Sequence, residues 1–122
     1  MSYDWGPHYI MPTSVAMRYS GIVRLREQLD DDLLGKELEA LGIRGTVQRV
    51  NNPWYFRRKG STTWILIGES DDRAENFPVT WNTRELENGD YEVLGLMHVY
   101  VKEGGNVRVI ARQNVVGVTV EN

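Results

Sequence analysis

The chain has 122 residues, a net charge of −3 and a pI near 5.4, with 41% apolar and 25% charged residues. That is enough chain for one domain with its own core, and the acidic balance gives no reason to expect a nucleic-acid or anionic-membrane partner. With no cysteine, structural disulfides, thiolate metal sites and a cysteine nucleophile are all excluded. Residues 1–14 carry Tyr3, Trp5, Tyr9, Ile10 and Met11 among Gly6, Pro7 and Pro12. The prolines and glycine break regular structure, while the aromatics argue against a freely solvated tail. An extended arm is expected, lying on its own domain or clasping a neighbour. The opening residues lack a basic segment followed by an apolar one, so no export signal is expected.

A first strand is predicted from about Val15 to Gln28, where Val23 and Leu25 alternate with Arg24 and Arg26. A short helix follows over about residues 31–41. Asp30, Asp31 and Asp32 suit its N-terminus, Leu34, Leu38 and Leu41 fall on one stripe, and Gly42 suits the position after its end. Thr46–Val50 and Trp54–Arg58 read as one interrupted strand. Pro53 cannot donate to a ladder and so marks a bulge or an edge.

Next comes a strand over Thr63–Gly68, with Trp64 and Leu66 on one face and Ile65 and Ile67 on the other. A polar loop, Glu69–Asn76, leads to a strand over Phe77–Trp81. Two long strands, about Tyr91–Lys102 and Val107–Glu121, close the chain as a hairpin around Gly104-Gly105-Asn106.

That hairpin carries the most information. Tyr91, Val93, Met97, Val99 and Val101 form one apolar face. Leu94, Leu96, His98 and Tyr100 make the other face largely apolar too, whereas a strand with one solvated face should alternate. The helix, the arm or another protein is expected to cover it. Pairing Val93 with Val116 and Tyr91 with Val118 keeps like faces together, but the same register sets Met97 opposite Arg112. A shift that pairs Val99 with Val109 and Val101 with Val107 avoids this, so a β-bulge is expected near Arg112–Val115.

The run WNTRELENGDYEV resembles the immunoglobulin-like β-sandwich modules of bacterial surface proteins and bacteriophage virion proteins. Trp81, Leu86, Gly89 and Tyr91 match that family's order, and WYFRRKGSTTWILIGES resembles its central hairpin. The likeness covers about residues 46–122, and 15–28 loosely; it breaks at the helix and at Asn51-Asn52-Pro53. It implies an all-β, immunoglobulin-like antiparallel sandwich over residues 15–122, with the helix inserted. It also implies a tyrosine corner at Tyr91, whose hydroxyl bonds backbone in the crossover. The expected core is Val23, Leu25, Trp54 or Phe56, Ile65, Ile67, Val79, Trp81, Tyr91, Val93, Val116 and Val118.

Chemistry is poorly provided for. His8 and His98 lie in the arm and the last hairpin, with no spacing that brings Ser20 or Ser70 to either. Asp71-Asp72 and Asp30-Asp31-Asp32 fit no Ca²⁺-loop pattern. No enzyme, cofactor or metal site is expected. Trp5, Trp54 and Trp64 could stack on a sugar, but core packing is the more ordinary use of Trp64. The expected function is a non-enzymatic virion component, such as a bacteriophage capsid decoration protein. It would bind capsid or other virion subunits, or copies of itself, through Trp5, His8, Tyr9, Met11, Leu94, Leu96, His98, Tyr100 and Ile110. The alternative is an extracellular bacterial adhesion or glycan-binding module.

Overall fold

In the computed structural model, residues 2–3 and 18–122 are described. They form a mostly β protein with one α-helix: a large curled sheet and a second, two-stranded sheet. The strands are β1 (Ser2–Tyr3), β2 (Arg18–Tyr19), β3 (Ile22–Leu25), β4 (Thr46–Arg58), β5 (Ile65–Ser70), β6 (Val79–Asn82), β7 (Gly89–Glu103) and β8 (Asn106–Val120). Helix α1 spans Asp31–Ala40 and a 3₁₀ turn spans Arg73–Glu75. The large sheet runs β1-β8-β7-β4-β5, with β2 also on β8; β3 pairs with β6.

The expected first strand is two strands, and residues 15–17 lie outside those described. Gly21 takes φ +70°, a conformation that costs glycine little. There the chain leaves β8, along which β2 runs parallel, and joins β6 as the antiparallel β3. Thr83 fixes this change of sheet by donating from its backbone N–H and its hydroxyl to the Gly21 carbonyl, at 2.8 and 2.7 Å.

β7 and β8 pair without a register shift from Gly89↔Val120 to Glu103↔Asn106. Tyr91↔Val118 and Val93↔Val116 pair as expected. The expected bulge near Arg112–Val115 is absent: Val99 meets Ile110, Val101 meets Arg108, and Met97 meets Arg112. The expectation rested on excluding a charge from the buried face. The fold keeps the charge there and supplies a partner, because Arg112, fully buried, pairs with Glu37 of α1. The irregularities fall on β4 instead, at Val47/Arg49 against β7 and at Trp54/Tyr55 against β5. β4 is continuous through Pro53, which pairs with Glu69, and the second irregularity begins one residue later, after Trp54.

One face of the hairpin is covered in two halves. Near its base, Trp54, Tyr91, Val93, Val118 and Val120 pack against Val23 and Leu25 of β3 and Val79 and Trp81 of β6. Toward its tip, the four strand residues of β6 no longer reach. There Leu34, with Leu33 and Leu38, packs with Met97, Val99, Val101 and Ile110. The helix therefore completes the second layer on the same face as β3 and β6, and does not cover the hairpin's other face.

Its ends form as the sequence predicts. Asp30 Oδ1 accepts from Leu33 N at 3.0 Å. Gly42 (φ +69°) closes the far end, with Gly42 N bonded to Glu39 O and Ile43 N to Leu38 O.

Most of the expected core is buried, with Phe56, Ile67 and Val116 at its margin. Ile65 is a correction, being 50% exposed. β5 is the outer strand of the large sheet, and the two short strands of the second layer leave its start uncovered. Trp64 is also outside the core; the Arg57 guanidinium lies 4.1 Å over its ring.

Candidate interaction face and buried polar layer

The side chains of β7 that turn away from the core meet those of both neighbouring strands in rows. Leu94 lies between Tyr55 of β4 and Val115 of β8, and Leu66 of β5 extends the row. His98 lies between Asn51 and Ala111, and Tyr100 between Arg49 and Val109. Leu94 is buried, while Leu96, His98, Tyr100 and Tyr55 are half-buried. Leu66, Val109 and Val115 are 56%, 51% and 42% exposed. The Arg49 guanidinium sits 4.1 Å from the centre of the Tyr100 ring, a cation–π contact. Partial burial pushes the His98 imidazole below its usual pKa, favouring the neutral ring. The face is therefore apolar, bordered by arginine and amide side chains.

Of the residues expected to bind a partner, Leu94, Leu96, His98 and Tyr100 lie together on this face. Ile110 does not. With no bulge in the hairpin it turns inward opposite Val99, 6% exposed beneath the helix. Trp5, His8, Tyr9 and Met11 lie outside the described residues. Trp54 is fully buried, its Nε1 donating to Phe77 O at 3.0 Å, which removes it from any sugar-stacking surface.

The acidic clusters serve local structure. Asp72 Oδ1 accepts from Glu75 N at 3.2 Å, and Asp31 pairs with Arg73. Among the described residues no three His, Asp or Glu side chains gather as a metal site, and no helix is long and apolar enough to cross a membrane.

Sequence reasoning missed a polar layer beneath the sheet, at the junction of the two core clusters. Glu27 continues the inward phase of Val23 and Leu25 and is 2% exposed. Asn114 Nδ2 donates to its Oε1. Gly95 of β7 makes the room, since a Cβ there would lie 2.5 Å from Glu27 Oε2. Burial pushes the Glu27 carboxyl up to about 7, against the opposing effect of the Asn114 and Asn52 amides. Glu27 Oε2 and Asn52 Oδ1 are both buried without a donor among the described residues. A carboxyl that keeps its proton turns one of these two acceptors into a donor. The signal was present in the sequence, because positions 23, 25, 27 and 29 share one phase and the predicted first strand runs through Glu27.

No protein family, curated protein or solved structure matches this chain.

Proposed function

We propose that the chain is an immunoglobulin-like module that works by binding other proteins, as a component of a bacteriophage virion such as a capsid decoration protein. The strand order supports the fold. β3 and β6 correspond to strands B and E, β4, β7 and β8 to C, F and G, and β5 to C′. β4 carries a buried tryptophan, Trp54, as strand C does in antibody domains. The Tyr91 hydroxyl donates to Glu87 O at 2.7 Å, which is the bond of a tyrosine corner.

The observation that carries the function is the outer face of the long hairpin. Leu94, Leu96, His98 and Tyr100 of β7 stand beside exposed Val109 and Val115 of β8. A face of this kind gains free energy when a second protein removes it from water. Repetition over many identical capsid sites would multiply a modest contact into stable coating. The adhesion reading uses the same face; the burial of Trp54 speaks against its glycan-binding form.

The test is mass-spectrometric detection of the chain in purified particles from the genome that encodes it. Wild-type chain is expected at a fixed ratio to the capsid subunit. A Leu96→Glu/Tyr100→Glu double variant, folded by circular dichroism, is expected to be lost from the particles. Absence of the wild-type chain from particles, together with binding of the soluble chain to bacterial surface polysaccharide, would overturn the virion assignment.

A further inference from the structure

A second surface, distant in character from the apolar face, lies along β3. Within the two-stranded sheet the backbone bonds place each residue's peptide groups. Gly21 O accepts from Thr83 N and Glu27 N donates to Asn76 O, so the odd-numbered residues of this stretch face the β6 side. By the alternation of an antiparallel ladder, Ile22, Arg24 and Arg26 turn their peptide groups to the opposite edge. Among the described residues, no strand pairs with β3 on that edge.

The side chains of Ile22, Arg24 and Arg26 also share the outward face, as Val23 and Leu25 fill the core. They border a cleft of about 460 Å³ that, among the described residues, Arg18, Tyr19, Ser20 and Val23 also line. The Arg18 guanidinium has Glu121 at 3.8 Å; among the described residues Arg24 and Arg26 have no carboxylate partner. Three guanidinium groups thus line one cleft of a chain whose net charge is −3. Residues 4–17 would supply only one carboxylate, Asp4.

We propose that this edge takes an extended acidic segment of a partner protein as an added strand. Backbone groups of the segment bond those of Ile22, Arg24 and Arg26. Its alternate side chains stand beside the same three residues, an apolar one near Ile22 and carboxylates at the two arginines. This surface is independent of the hairpin face, so either assignment stands or falls alone.

The test uses the full chain and a fluorescent peptide that alternates glutamate with valine and threonine. Three comparison probes are the glutamine counterpart, a version methylated on alternate backbone nitrogens, and inorganic phosphate. The glutamate peptide is expected to bind and to protect the amides of Ile22, Arg24 and Arg26 from hydrogen exchange. Arg24→Gln/Arg26→Gln is expected to weaken it about tenfold, with an unchanged unfolding midpoint. The glutamine and methylated peptides are expected to bind at least as weakly as that variant shows. Equal binding of the glutamine peptide, full binding of the methylated one, displacement by phosphate with no amide protection, or no binding of the glutamate peptide would each overturn the proposal.

Discussion

Glu27 is a buried carboxyl whose surroundings change its chemistry. Its carboxyl is held near a pKa of about 7, against an ordinary value of 4.5, because the folded chain removes it from water. The folded state therefore binds a proton that the unfolded chain gives up. Stability from this group is fully present below about pH 4.5 and is lost as pH rises to about 7. The shift corresponds to a loss on the order of 3 kcal/mol. Urea unfolding from about pH 5 to about pH 8 is expected to show the decline, and Glu27→Gln to flatten it and to be the more stable form at the upper end.

A second residue-scale effect concerns Gly45, where an added Cβ would meet the Lys102 carbonyl oxygen at 2.2 Å. Backbone cannot rotate away as a side chain does. Gly45→Ala is expected to cost about 2 kcal/mol in the same assay, through displacement of β4 from β7. Both residues show where sequence stops being legible. The phase of Glu27 with Val23 and Leu25 was readable; that Gly95 and Asn114 would meet it from strands more than sixty positions away was not.

At the scale of elements, α1 and the hairpin explain each other. The sequence located the helix within a residue, since its cap, stripe and closing glycine are local features. It did not locate the face the helix covers. That depended on the length of β6: four residues of β6 leave the upper half of a fifteen-residue β7 bare on the core side. The helix fills that half, and Glu37 comes with it to neutralise Arg112. Glu37→Gln removes the Glu37 carboxylate from the buried guanidinium and is expected to lower stability by about 2 kcal/mol, Glu37 itself being partly exposed. Arg112→Met/Glu37→Ala is expected to recover part of that loss, read from the thermal midpoint.

The bond from the Tyr91 hydroxyl to Glu87 O is another element-scale lock. Tyr91→Phe keeps the ring against Trp81 and Phe56 but removes the bond to Glu87 O. A cost of about 1 kcal/mol is expected, with no change in the circular dichroism spectrum.

Over the whole molecule, one strongly apolar sheet face is packed by β3, β6 and α1, and the other remains partly open. Leu96→Glu/Tyr100→Glu adds charge to half-buried positions outside the core clusters. Its unfolding midpoint is expected to stay within about 1 kcal/mol of wild type, while association with any partner of that face is lost. Ile110→Glu is expected instead to lose folding, read from the same unfolding midpoint, because Ile110 belongs to the core.

The amino-acid order by itself determined an all-β chain, the register at the hairpin's base, the helix with its caps, and most of the core between the two layers. Each of these follows from periodicity and turn chemistry acting over a few neighbouring residues. Only the tertiary structure decided that Arg112 is buried, that Ile110 turns inward, and that α1 covers the core side of the hairpin toward its tip. It also set Glu27 against Gly95. These depend on which distant side chain supplies a counter-charge or vacates a volume, and the cost of burying a charge is fixed by that partner.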